Sequence, residues 1–150
     1  MTDVPSETGV EMSEAETRSL LESKAHGVLS MGAGDRGYGL PMSFGYDEEN
    51  GRLVLGFANT SDSKKRRFAT KTEEATLNVY EYEDVDSWAS VLVTGSLHRI
   101  DGADVSEPIR PLFFRRETDT PDEGRLVDFD EYERVWYELR IDEISGRHSG

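Results

Sequence analysis

"GAGDRGYGLPMSFGYD", residues 32–47, can be read in two ways that lead to different folds. Its opening, Gly32-Ala33-Gly34-Asp35-Arg36-Gly37, satisfies G-x-G-x-x-G, the glycine fingerprint of dinucleotide-binding α/β folds. That fingerprint works only where a helix opens at the glycines and turns its N-terminus toward a pyrophosphate. Tyr38-Gly39-Leu40-Pro41 follows instead. Glycine is costly inside a helix, and proline removes an N–H and clashes with the preceding turn. Leu40, Met42, Phe44 and Tyr46 then alternate with Pro41, Ser43 and Gly45, which is the period of a strand. The glycines therefore predict a β-hairpin turn, and the fold class is mainly β.

The same pattern extends in both directions. HGVLSM (26–31) is a short apolar strand, DEENG (47–51) a second turn, and RLVLGFA (52–58) a strand with Leu53, Leu55 and Phe57 on one face. TEEATLNVYEY (72–82) reads as a strand, and SWASVLVTGSLHRI (87–100) as a long one whose nearly continuous apolar middle places it centrally in the sheet. YERVWYELRIDEIS (132–145) alternates Val135, Tyr137, Leu139 and Ile141 with polar residues. Ser13-Glu14-Ala15-Glu16 is an S-x-x-E capping box that starts a helix running to about Lys24, and a short helix is expected from about Ser63 to Thr70. Pro108 and Pro111 limit any helix in 101–125. Six strands with a few short helices predict a closed or nearly closed antiparallel barrel. Its expected bounds are 12–145, with a disordered segment at 1–11 and a flexible tail at 146–150.

At 150 residues the chain is long enough for one core. It has no cysteine, so disulfides, thiolate metal sites and cysteine nucleophiles are excluded. The polar, acidic N-terminus lacks the features of a signal peptide, and no apolar run is long enough for a membrane span; a cytoplasmic protein is expected. Thirty-one Asp and Glu stand against 17 Lys and Arg, a net charge of −14 that repels nucleic acid and resembles proteins of salt-loving microbes. His26, His98 and His148 have no metal-ligand spacing, and no G-x-S-x-G or H-E-x-x-H occurs.

Against that acidity, FANTSDSKKRRF (57–68) sets four basic residues in a row. Cations in the first turn of a helix are disfavoured by its dipole unless an anion joins them, and a phosphate there would meet backbone N–H groups, Ser63, Lys64 and Lys65 together. The competing readings are a solvated face paired with surface acids and a nucleic-acid or localisation patch. Asn59-Thr60-Ser61 is also a glycosylation sequon.

HGVLSM, PMSFGYDEENGRLVLGF, the Ser-Lys-Lys of DSKKRRF, WASVLVTGSL and ELRIDEISGR, in this order and spacing, resemble the FMN-binding split-barrel family related to pyridoxamine 5′-phosphate oxidase, in its nitroimidazole-resistance-like branch. The resemblance implies a six-stranded antiparallel split β-barrel and an FMN-dependent oxidoreductase or flavin reductase acting on a small molecule. It implies that Ser63, Lys64 and Lys65 hold the FMN phosphate, and that Gly56, Phe57, Ala58 and Asn59 line the same site. Pro41, Met42, Ser43 and Phe44 would run beside the isoalloxazine ring through backbone contacts. Ser90 would hydrogen-bond the flavin, and two subunits of a homodimer would share each site. The loop from Gly56 to Lys64 is about three residues longer than in the oxidase. The C-terminal Glu143-Ile144-Ser145-Gly146-Arg147 also replaces the oxidase's substrate segment, so pyridoxamine phosphate oxidation is not implied. The rival ligands are the deazaflavin F420 and haem, and the rival class is a flavin-binding module without turnover.

Overall fold

In the computed structural model, which describes residues 9–58, 64–105 and 134–150, the chain runs β1 (Val10–Glu11), α1 (Glu14–Ser23), β2 (His26–Ala33), β3 (Arg36–Asp47) and β4 (Arg52–Ala58). It continues through α2 (Lys64–Lys71), β5 (Glu74–Asp84), β6 (Ser87–Ile100), a 3₁₀ turn (Gly102–Asp104) and β7 (Arg134–His148). The glycine stretch is the β2–β3 hairpin. Pairing ends with Ala33 opposite Arg36, which leaves Gly34 and Asp35 as the whole turn. Gly34 has φ +60° and Asp35 does not have positive φ, the pattern of a type II′ turn, whose first central position favours glycine. No helix opens there, so the dinucleotide reading is excluded.

The sheet order is β1-β7-β4-β3-β2-β5-β6, all antiparallel, and a further β6–β7 pairing closes β2 to β7 into a six-stranded ring. β6 is paired by β5 on one side from Ser87 to Ser96 and by β7 on the other from Ala89 to Ile100, so its apolar middle has a strand on each side. Alternation sends Leu29, Phe44, Leu55, Leu77, Val93 and Leu139 into the barrel, where each is 0 or 1 % exposed. α1 closes one end with Leu20 and Leu21, and α2 helps close the other with Phe68 and Ala69. The capping box is formed as the sequence predicts: Glu16 N–H donates to Ser13 Oγ at 3.2 Å and Ser13 N–H donates to Glu16 Oε1 at 3.0 Å.

Two boundaries differ from expectation. Val10 and Glu11, expected to be unstructured, pair with His148 and Arg147. β7 continues past Ser145, because Gly146, Arg147 and His148 still find partners in Val91, Ser90 and Ala89 of β6. Met12 N–H also donates to Gly146 O at 2.8 Å, so residues 10–12 and 146–148 are tied into the sheet by backbone bonds that side-chain pattern does not reveal.

Candidate functional site

Register places several of the predicted site residues on one outer wall. Pro41 of β3 faces Val28 of β2, Val28 faces Asn78 of β5, and Asn78 faces Leu92 of β6. In the next row Ser43 faces His26, and Tyr80 faces Ser90. These residues alternate with buried neighbours and so share the outward face. Pro41 and Leu92 are three strands apart, about 14 Å at the usual strand spacing.

Met42 and Phe44 point the other way. They are 6 % and 1 % exposed in the barrel core, so only their backbone is available to a ligand on the wall. Phe57 also faces inward, its ring centroid 4.9 Å from that of Tyr137. Gly56 and Ala58 pair with Trp136 and Arg134 at the end of β4. Asn59 and Ser63 lie outside the described residues.

Lys64 and Lys65 open α2, whose first turn contains no acid. Lys64 Nζ lies 5.2 Å from the Tyr38 ring centroid and 5.9 Å from that of Phe68, two rings stacked on each other at 5.2 Å. Neither lysine forms an ion pair among the described residues. The structure does not bring Ser90 to these lysines within one chain. Ser90 sits near the α1 end of the barrel, and the stretch of β6 from Ser90 to Ser96, toward the α2 end, spans about 20 Å.

Around Ser90 the wall forms a cavity of about 500 Å³ lined by Asn78, Tyr80, Tyr82, Val85, Trp88 and Ser90, among others. Tyr80, Tyr82 and Val85 are exposed at its rim, and Leu92 is exposed in the neighbouring row. On its floor Asn78 Nδ2 donates to Ser90 Oγ at 2.8 Å and to the Val91 carbonyl at 3.2 Å. Sequence reading singled out Ser90 but not Asn78, Tyr80 or Tyr82, whose signal was present in TLNVYEY: the three share one parity of the strand, and Leu77 and Val79 on the other parity face the core.

Also unforeseen is a buried ionic cluster on the opposite wall. Arg52 donates from Nε to Asp47 Oδ2 at 2.9 Å, from Nη1 to Glu138 Oε2 at 2.8 Å and from Nη2 to the Asp104 carbonyl at 2.7 Å. Arg140 Nε donates to Glu138 Oε1 at 2.7 Å, and Asn50 Nδ2 to Asp47 Oδ2 at 2.9 Å. Burial pushes both carboxyls up, but these bonds outweigh it and hold Asp47 and Glu138 below the ordinary carboxylate range. No group of three or more metal-ligating side chains occurs among the described residues, and no described helix is long and apolar enough to cross a membrane.

The sequence profile of the pyridoxamine 5′-phosphate oxidase family matches residues 13–148. The chain belongs to that family. Among solved structures it is similar to an FAD-binding protein from Mesorhizobium loti, with TM-score 0.64, 16% identity, and 94% of this chain and 98% of that chain covered. An FAD-binding protein from Mycobacterium smegmatis aligns with TM-score 0.63 and 18% identity over 93% of this chain and 97% of that one. A candidate 5-nitroimidazole antibiotic resistance protein from Bacteroides thetaiotaomicron aligns with TM-score 0.68 and 12% identity over 93% of this chain and 86% of that one. At such identities the likeness is one of fold, and it agrees with the split barrel expected from sequence. No curated protein matches the chain in sequence.

Proposed function

We propose that this family member is a cytoplasmic flavoprotein that binds FMN and acts as an oxidoreductase or flavin reductase on a small molecule. The observation that carries the reading is the first turn of α2, where Lys64 and Lys65 stand without an acid in the turn and without an ion pair among the described residues. A solvated face would pair such cations with some of the 31 acids of the chain. A phosphate gives both ammonium groups and the helix N-terminus a partner of the right sign. Ser63 belongs to the same phosphate-binding group, and Asn59 lines the same site. The backbone of Pro41 to Phe44 and of Gly56 to Ala58 flanks the ring, and Ser90 offers it a hydroxyl. A flavin so bound supplies the redox chemistry, while the protein binds, orients and shields it. The exposed Tyr80, Tyr82, Val85 and Leu92 suit a wall covered by a second copy, in keeping with a homodimer whose subunits share each site.

FAD is a second reading, favoured by structural neighbours described as FAD-binding; one Mycobacterium smegmatis neighbour is described as binding FAD and haem. The purified protein, titrated with FMN, FAD and riboflavin and followed by flavin fluorescence at low and molar salt, tests both readings. Lys64→Ala and Lys65→Ala should each weaken FMN roughly 10-fold to 150-fold, the loss of a charge-assisted hydrogen bond, and leave riboflavin unchanged. FMN affinity within about threefold of native in the double variant, ~0.7 kcal/mol, would overturn the phosphate cradle. Tighter FAD than FMN binding would replace FMN, a deazaflavin or Soret band in the purified protein would replace flavin, and no flavin binding at all would remove the flavin reading.

A further inference from the structure

The bond between Asn78 and Ser90 has only one chemically consistent orientation, and that orientation determines what the cavity can recognise. A backbone carbonyl can only accept. The Asn78 amide atom 3.2 Å from Val91 O must therefore be the nitrogen, because the oxygen there would set two acceptors against each other. The same nitrogen lies 2.8 Å from Ser90 Oγ. Its two hydrogens serve these two oxygens, so Ser90 Oγ acts as acceptor toward Asn78 and its own O–H is left to donate elsewhere. Asn78 Oδ1 makes no hydrogen bond among those found between described residues. The floor of the cavity thus offers an acceptor and a donor side by side on adjacent strands. Tyr80, Tyr82 and Trp88 line the same space with flat apolar surface.

A matched acceptor–donor pair beside aromatic side chains suits a planar heterocycle whose edge carries an N–H next to a carbonyl. The pyrimidine edge of an isoalloxazine, C=O/N–H/C=O, is such an edge. Resting on the flavin reading above, we infer that Asn78 is the specificity-determining residue of this cavity. Its nitrogen fixes Ser90 as a donor to a ring carbonyl, and its Oδ1 accepts from the adjacent imide N–H. A buried acceptor facing a ligand that lacks the matching hydrogen is left unpaired, which is why polar sites reject such analogues more strongly than apolar sites reject a missing methylene.

The test compares FMN with N3-methyl-FMN, which keeps the phosphate and both carbonyls but has no imide hydrogen, binding to the full-length protein by flavin fluorescence. The wild-type protein should prefer FMN at least about tenfold, the scale of one hydrogen bond. Asn78→Ala should bring the two ligands within about twofold of each other. Asn78→Asp, nearly isosteric, should weaken both ligands, because a carboxylate takes up the Ser90 proton and the donor is lost. Ser90→Ala should also weaken both ligands while retaining the preference, since Asn78 Oδ1 remains. Equal wild-type affinity for FMN and N3-methyl-FMN would overturn the assignment without any variant, and so would a preference that survives Asn78→Ala. Either result leaves FMN binding, and the flavin reading, intact. Failure of the wild-type protein to bind either ligand removes both.

Discussion

The two outer walls of the barrel are made from the same alternating strands and use their polar groups in opposite ways. On the wall of β3, β4 and β7, Arg52 is 9 % exposed, and its Nε and Nη1 donate to the buried Asp47 and Glu138 while Nη2 donates to the Asp104 carbonyl. Val54, Val105, Ile100 and Trp136 pack into a small apolar cluster on the same side. On the wall of β5 and β6, Asn78 and Ser90 satisfy each other only in part, and Tyr80 and Tyr82 remain 55% and 62% exposed. A polar cluster whose buried groups are paired with one another contributes order more than it offers a ligand. A half-satisfied pair beside exposed aromatic surface has capacity left for a ligand. The first wall is built to hold the barrel together, the second to be covered.

The sharpest way to break this contrast is to remove the centre of the saturated wall. Arg52→Ala leaves Asp47 buried without its cationic partner and Glu138 buried with Arg140 alone, and should lower the free energy of unfolding by about 3 to 5 kcal/mol. Denaturant titration at fixed salt measures it, and a loss below about 1 kcal/mol would mean that water reaches the cluster. The cluster also sets an acid limb. Asp47 and Glu138 are held below their ordinary values in the folded protein, so their stabilisation is complete above the unfolded carboxylate range of about 4 and is lost as pH falls through their folded values. Arg52→Ala should flatten that limb.

Which wall is which was only half legible in the sequence. Alternation alone assigns Pro41 and Ser43 outward and Met42, Phe44 and Phe57 inward, because side-chain period is a local property, whereas the nearly continuous apolar middle of 87–100 leaves the face of Ser90 to the structure. The ring of six strands followed from the same alternation. Neither the Asn78–Ser90 contact nor the Arg52 cluster is local. The first depends on the β5–β6 register, which shifts between Tyr82 and Asp84; the second needs β3, β4, β7 and the 3₁₀ turn to converge. Tertiary pairing, not pattern, decides both. The basic run was legible as charge, while its placement beside Tyr38 required the hairpin to fold back against α2.

A smaller effect is expected at the seam where the walls meet. β6 belongs to the open wall and β7 to the saturated one, and their register shifts between Thr94 and Gly95, with Thr94 opposite Glu143 and Gly95 opposite Ile141. The bulge brings the Arg140 carbonyl against Gly95, where an added Cβ would collide with backbone that no side-chain rotation can clear. Gly95→Ala should therefore cost about 1 to 3 kcal/mol by overpacking, less than Arg52→Ala. A neutral or stabilising result in the same titration would show that the bulge relaxes freely and that the walls are not rigidly joined.

The smallest change in monomer stability should come from the open wall, and there the expected signal is in mass. Tyr80 and Tyr82 are more than half exposed, so Tyr80→Thr/Tyr82→Thr, which replaces them with β-branched residues that also favour strands, removes little that the single chain buries. Surface changes of this kind stay within about 0.5 kcal/mol. If a second copy covers the wall, the same substitutions remove aromatic area from the interface, and the dimer should dissociate on dilution while the variant monomer unfolds at nearly the native midpoint. Light scattering of flavin-saturated protein across a dilution series at molar salt, where repulsion between chains of charge −14 is screened, separates the two contributions. A wild-type monomer under these conditions would remove the shared-site arrangement. A variant that stays dimeric would place the interface on another wall, and the exposed tyrosines would then serve the ligand cavity alone.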